Sequence, residues 1–436
     1  MTSRERVKAA LNHRQPDRVP VDFGSTIVTG MHVSMVSRLR KAFGLGGAED
    51  RVKVIEPFQM LGEIDDALRE KLRVDFAPLF HRKTVFGFEN KDWKEWELFD
   101  GARVLVPGLF NTDTDENGDI LLYPEGDRTA PPSARMPRDG MYFDSILRQE
   151  RLDDSSLDPL DNVQEYGLIS QEEIESLGRE SERLYTRTDY ALVYSLPGTS
   201  LGDISDIPGP GLKHPKGIRG EEEWYVSTIT RRDYVYDALN LQCEIGLENL
   251  ARVRDALGDR IEVIKVSGAD FGSQRGPLYS PDLYRDLFKP FHARICHWVH
   301  RHTPWKVFIH TCGGIRPLLP DILDAGFDIL NPVQTSAEGM EAGQLKHDFG
   351  DRIVFWGGGV DTQKTLPFGT PEEVYGEVRR NIQVFNRGGG YVFNAIHNIQ
   401  PGTPLENITA MLEAVRDSAF LYANFIIDRG SYDQDI

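Results

Sequence analysis

From residue 190 onward, short β-rich apolar runs alternate with segments of helical period. The runs are Ala191 to Leu196, Ile261 to Val266, Lys306 to Thr311, Asp328 to Val333, Ile353 to Gly357 and Tyr391 to Ile396. Each is separated from the next by a stretch long enough to cross over. Strand and helix in strict alternation predict a parallel sheet covered by helices. Two earlier runs, Val19 to Phe23 and Val74 to Leu79, bring the count to about eight. The expected fold class is therefore α/β, a closed (β/α)8 TIM barrel, with an open doubly wound sheet as the alternative.

Helix starts are explicit. Ser280-Pro281, Thr370-Pro371-Glu372-Glu373 and Thr403-Pro404-Leu405-Glu406 each place a hydroxyl at the N-cap and proline at the first helical position. The latter two add glutamate at the capping-box position. Gly388-Gly389-Gly390 reads as the stop of the helix before it. At the N-terminus, apolar residues at 7, 9, 10 and 11 predict a short amphipathic helix rather than a targeting signal.

Residues 82–180 break the alternation. Arg103 to Val106 and Ile120 to Tyr123 flank an Asn117-Gly118 turn in hairpin grammar. The stretches 128 to 139 and 149 to 175 read as surface connections. We expect a single barrel domain over residues 1–436, with a β-rich insertion at about 82–180 acting as a lid or an oligomer contact, possible in a homodimer.

Composition narrows the function. The chain of 436 residues carries 68 acidic against 50 basic side chains, a formal charge of −18 with no basic block. Such a surface repels phosphate backbones and anionic lipid, which argues against a nucleic-acid or membrane partner. Three scattered cysteines fit a reducing compartment, and no run reaches the roughly 20 apolar residues that span a bilayer. A cytoplasmic location is expected.

Candidate chemistry sits where strands end. In a strand, residues i and i+2 share a face, so His310 and Cys312 present an imidazole and a thiol side by side. The last strand runs into His397, which can reach the same barrel mouth. Three protein ligands with one open position are the pattern of a catalytic zinc; structural hydrogen bonding is the plainer alternative for a His-x-Cys pair. Asp270 and Gln274, Asn331 and Gln334, and Asp361 follow other strands, either as turn and cap residues or as functional ones. His32, after the first strand, is a further mouth candidate.

The opening segment up to Phe23-Gly24, with Asp270-Phe271-Gly272-Ser273-Gln274, His310-Thr311-Cys312-Gly313, Asn331-Pro332-Val333-Gln334 and His397-Asn398-Ile399-Gln400, resembles the uroporphyrinogen decarboxylase-like superfamily. The branch most similar is that of the corrinoid-linked methyltransferases. The resemblance implies a (β/α)8 barrel. It also implies zinc held by His310, Cys312 and a third ligand; His397 stands where methylcobalamin:coenzyme M methyltransferases carry a second cysteine, which argues against a thiol substrate. The arginine-rich N-terminal segment of the decarboxylases is replaced by Val19-Pro20-Val21-Asp22-Phe23-Gly24, which argues against porphyrinogen decarboxylation. Two imidazoles and one thiolate leave zinc near +1, better suited to an oxygen ligand than two thiolates would. The expectation is a zinc-dependent methyltransferase (O-demethylation) component that moves a methyl group between a small methoxylated substrate and the cobalamin of a separate corrinoid protein. Asp270 or Asp361 would serve as proton donor or orienter, with Gln274, Asn331, Gln334 and His32 toward the substrate. The alternative is a metal-dependent lyase, decarboxylase or hydrolase of a small carboxylated molecule, without a corrinoid.

Overall fold

The computed structural model describes residues 1–47 and 50–430, of which 419–430 as backbone alone. Residues 431–436 of the expected domain lie outside the described residues. Seven strands form one sheet: β1 (Phe76–Leu79), β2 (Ala191–Ser195), β3 (Val263–Ser267), β4 (Lys306–His310), β5 (Ile329–Asn331), β6 (Val354–Trp356) and β7 (Tyr391–Val392). They lie side by side in chain order, every pairing parallel. Helices cover the outer face, so the strands are buried on both sides and read as near-continuous apolar runs.

The remaining gap is bridged by the first apolar run. Val21 makes a parallel bridge to Phe393 beyond β7, and its carbonyl accepts the Asp75 N–H ahead of β1 at 2.8 Å. The segment that stands eighth in the ring is thus held by a few backbone bonds on either side. Inside, Trp356 packs on Phe76 and Phe308 with ring centroids 4.5 and 5.3 Å apart, so these three strands point those residues at the barrel axis. Trp356 Nε1–H donates to the buried Asp22 carboxylate at 3.0 Å.

The N-terminal helix Ser3–Leu11 opens with a Thr2/Glu5 capping box and buries Val7, Ala9, Ala10 and Leu11. It closes the N-terminal end of the barrel, with Arg6 paired to Asp75 and the Ala10 carbonyl accepting from Gly390 N–H. His310 and Asn331, which end their strands, lie at the opposite end.

Ser280 and Thr370 cap their helices as the sequence predicts, Thr370 with a full capping box. Thr403 does not. Its hydroxyl donates to the Gln400 carbonyl at 2.9 Å, and the last helix starts at Leu405 with the Pro404 carbonyl accepting its first bond. The three glycines at 388–390 all take positive φ and end the helix Pro371–Phe385.

Between β1 and β2 lie two small antiparallel sheets. Arg103–Val106 pairs with Lys94–Glu97, and Ile120–Leu122 pairs with Thr112–Thr114 around the Asn117-Gly118 turn. The two runs expected to pair with each other therefore belong to different hairpins. A second tight turn at Gly101, with φ +79°, lets Arg103–Val106 fold back on the nearer partner. Nor is the stretch 149 to 175 all connection: Ser170 caps a helix, Gln171–Arg187, that packs on β1 and β2.

Candidate metal centre

His310 ends β4, and the turn behind it is held by three hydrogen bonds to the segments that follow β3 and that end or follow β5. Thr311 N–H donates to the Asn331 carbonyl (2.7 Å), Cys312 N–H to Asp270 Oδ1 (2.8 Å), and Gly313 N–H to Gln334 Oε1 (2.8 Å). Gly313 lies at φ +91°, and a Cβ there would stand 2.3 Å from the Gly272 carbonyl carbon. Only glycine lets the loops after β3 and β4 approach so closely, and that approach brings Cys312 against Asp270.

His310 is oriented before any ligand arrives. Asn331 Oδ1 lies 2.6 Å from its Nδ1, and the other end of the same carboxamide donates to the Trp356 carbonyl at 3.0 Å. An amide oxygen can only accept, so Nδ1 carries the proton and Nε2 keeps its lone pair. Nε2 lies 3.5 Å from Cys312 Sγ and 4.0 Å from Asp270 Oδ1. The His397 ring stands 5.5 Å from that of His310, centroid to centroid.

Ligand atoms of His310, Cys312 and His397 all lie within 4.8 Å of one another. Ligand atoms around a tetrahedral zinc stand roughly 3.3–3.8 Å apart given its bond lengths. The donor set fits a metal electrostatically too. Burial holds His397 down to about 4, and burial, then His397 and Lys265, hold His310 well below its ordinary value. Both imidazoles are neutral at pH 7, with lone pairs to give. Burial, then Asp270, push the Cys312 thiol well up, so it needs a cation to ionise.

The other expected residues divide. Asp270 touches the turn and faces His310, and burial raises its carboxyl. Asn331 and Gln334 were expected toward substrate. Both Asn331 amide groups are taken up by the protein, so Asn331 serves the turn; Gln334 gives its Oε1 to the Gly313 N–H. His32 has no spare nitrogen: Nδ1 accepts from Ser34 N–H and caps the helix Val33–Ala42, and Nε2 lies 2.8 Å from the Met141 carbonyl. Asp361 Oδ1 accepts the Gln363 N–H in its own loop, and Gln274, exposed, donates to Gln363. Neither hydrogen-bonds the triad.

Sequence reasoning missed Lys265, Asp203 and Asp206. Lys265 interacts electrostatically with Asp203, Asp206, Asp270 and His310. The signal was a lysine in the middle of an apolar strand.

Residues 266–418 match the family model described as uroporphyrinogen decarboxylase (URO-D). The uroporphyrinogen decarboxylase of Coxiella burnetii is 28% identical over 146 residues, covering 33% of this chain and 38% of that protein. That of Methylococcus capsulatus is 32% identical over 99 residues, 23% of this chain and 26% of that protein. The methylated-thiol–coenzyme M methyltransferase of Methanosarcina mazei is 27% identical over 146 residues, 34% of this chain and 36% of that protein. The chain thus spans well under half the length of each of these relatives. A solved methyltransferase from Methanosarcina mazei superposes over 96% of this chain and 99% of its own, with TM-score 0.53 and 18% identity, which shows a shared fold. Among the described residues no helix is long and apolar enough to cross a membrane.

Proposed function

We propose, on the premise that this chain resembles the uroporphyrinogen decarboxylase-like superfamily near its corrinoid-linked methyltransferases, that it is a zinc-dependent methyltransferase component. In this reading it moves a methyl group between a small methoxylated substrate and the cobalamin of a partner corrinoid protein. The observation that carries it is the meeting of His310, Cys312 and His397 at the C-terminal ends of the barrel strands, ligand atoms within 4.8 Å. Three protein ligands leave a fourth position for an exogenous one. Bound there, zinc would supply Lewis acidity toward an oxygen ligand.

The chain's own residues do the rest. Asn331 fixes the His310 tautomer, and Asp270 holds Cys312 through its backbone while facing His310. Such outer contacts raise ligand basicity and set ring orientation. Asp270, raised by burial, lies 4.0 Å from His310 Nε2 and is suited to hand over a proton. Residues of about 82–180 form an insertion on a single barrel domain in the same reading. Support comes from Arg148, which donates to the Gly209 and Leu212 carbonyls in the loop after β2, and from the His32 contact with Met141.

The decarboxylases among the similar proteins favour a second reading, a metal-dependent lyase of a small carboxylated molecule. It would turn over substrate with no corrinoid protein present. Elemental analysis of the purified wild type beside His397→Ala tests the shared premise. Zinc near one per chain, lost or much reduced in the variant, is expected. A wild type that takes up no metal on reconstitution overturns both metal readings.

A further inference from the structure

Lys265 is a charged residue on the inner wall of the barrel. Its Cα pairs with that of Phe308 across β3 and β4, and Phe308 packs on Trp356 inside the barrel, so the lysine rises from the same inner face. Burial pulls its ammonium down while Asp203, Asp206 and Asp270 push it up, which sets three carboxyls within electrostatic reach. None of them takes the ammonium: among the described residues Nζ makes no hydrogen bond and no ion pair.

Each carboxyl is held elsewhere. Asp203 Oδ1 accepts from Ser205 N–H and Oγ–H at 2.9 and 2.8 Å, and Asp206 Oδ2 accepts from Ser200 Oγ–H at 2.6 Å. Asp270 Oδ1 takes the Cys312 N–H. Gly268 keeps a space between the lysine and Asp203, since a Cβ there would stand 3.0 Å from Asp203 Oδ2 and 3.2 Å from Lys265 Nζ. The Tyr225 hydroxyl, within electrostatic reach of Glu221, Asp270 and Asp203, is buried with no hydrogen-bond partner among the described residues. An ammonium and a phenol are both donors, and a buried donor left unpaired is costly. What these two donors lack is an acceptor within hydrogen-bond reach.

Resting on the metal reading above, we propose that Lys265 anchors a carboxylate of the substrate, with Tyr225 as second donor, so that the substrate is a small methoxylated carboxylic acid. One ammonium matches one carboxylate. Charge supports the assignment: burial and the neighbouring Asp206 and Asp270 hold the Asp203 carboxyl up, and a neutral acid does not repel an incoming anion. The anchor sits one strand away from His310, so a short molecule held there by its carboxylate can present its other end to the triad.

Calorimetric titration of the zinc-reconstituted full chain tests this, with 3-methoxybenzoate and, as matched neutral probe, 3-methoxybenzyl alcohol. Wild type, Lys265→Met and Lys265→Arg are compared, each assayed for zinc and for unchanged circular dichroism. The wild type should bind the acid at least about tenfold tighter than the alcohol. Lys265→Met should level the two, and Lys265→Arg, which keeps the cation and serves as the folding control, should retain the preference. A preference for the acid that survives in Lys265→Met, or a wild type that prefers neither probe or binds neither, overturns the anchor. Zinc content decides the metal reading separately. If no form holds zinc that reading fails, and the anchor is judged by the same two probes on the metal-free chain.

Discussion

Asn331 Oδ1 stands 2.6 Å from His310 Nδ1, and the same side chain donates to the Trp356 carbonyl from its other end. A residue at the end of one strand thus sets the tautomer of a candidate ligand at the end of the next. Asn331→Ala should lower zinc affinity by about 10–100-fold, the usual loss when an outer partner of a metal-binding histidine is removed. It should also cost about 1–3 kcal/mol of stability, because the buried Trp356 carbonyl loses a donor. Competition against a chelator and urea unfolding measure the two effects. Unchanged affinity would show that packing alone holds the ring.

Zinc binding should release about one proton per chain at pH 7. Both imidazoles are held neutral, while the Cys312 thiol is pushed well above its ordinary value by burial and Asp270 and must give up its proton to bind. Affinity should therefore rise by about tenfold per pH unit between 6 and 8. Calorimetry in buffers of different ionisation enthalpy counts the protons. A count near zero would mean that Cys312 is not a ligand.

Much of this arrangement was legible in the chain, for identifiable reasons. Strands buried on both faces announce themselves as apolar runs, and the i, i+2 rule puts His310 and Cys312 together without any tertiary information. What stayed hidden depends on contacts between distant segments. Asn331 and Gln334 look like rim residues in sequence. Only the pairing of β4 with β5 shows that they serve His310 and Gly313. Lys265 faces inward because of its register with Phe308, ahead of the irregularity between Lys265 and Ser267, which no local pattern reveals. Thr403 misled because a hydroxyl followed by proline suits a cap and a turn equally, and here the Gln400 carbonyl claims it.

Gly313 and Gly388 separate backbone strain from close approach. Both have positive φ, but a Cβ at 313 would overlap the Gly272 backbone, while at 388 nothing lies within 4 Å. Gly388→Ala should cost about 1 kcal/mol, the left-handed penalty alone. Gly313→Ala should cost about 2–4 kcal/mol and reduce zinc binding as well, since the Cys312 turn must move. Urea midpoints with unchanged m-values provide the comparison. Equal costs at the two sites would mean that the loops yield easily and that their contact does not position Cys312.

Glu262 tests the closed end of the barrel through its pH dependence. Its Oε2 accepts the Leu192 N–H at 2.7 Å, and Oε1 lies 3.7 Å from both Arg4 and Lys8 of the N-terminal helix. Burial outweighs these partners and raises the carboxyl from 4.5 to about 7. An acid whose value is raised on folding prefers to be protonated in the native state. Below 4.5 both states hold the proton and nothing is lost. As pH climbs to 7 only the unfolded chain gives it up, so native stability falls, by about 3 kcal/mol once pH exceeds 7. Glu262→Gln removes the titration, so its stability relative to wild type should improve from pH 4.5 to about 7 and level off above that. A difference between the two proteins that stays flat across that range would mean that Arg4 and Lys8 stabilise the ionised carboxylate enough to cancel its burial.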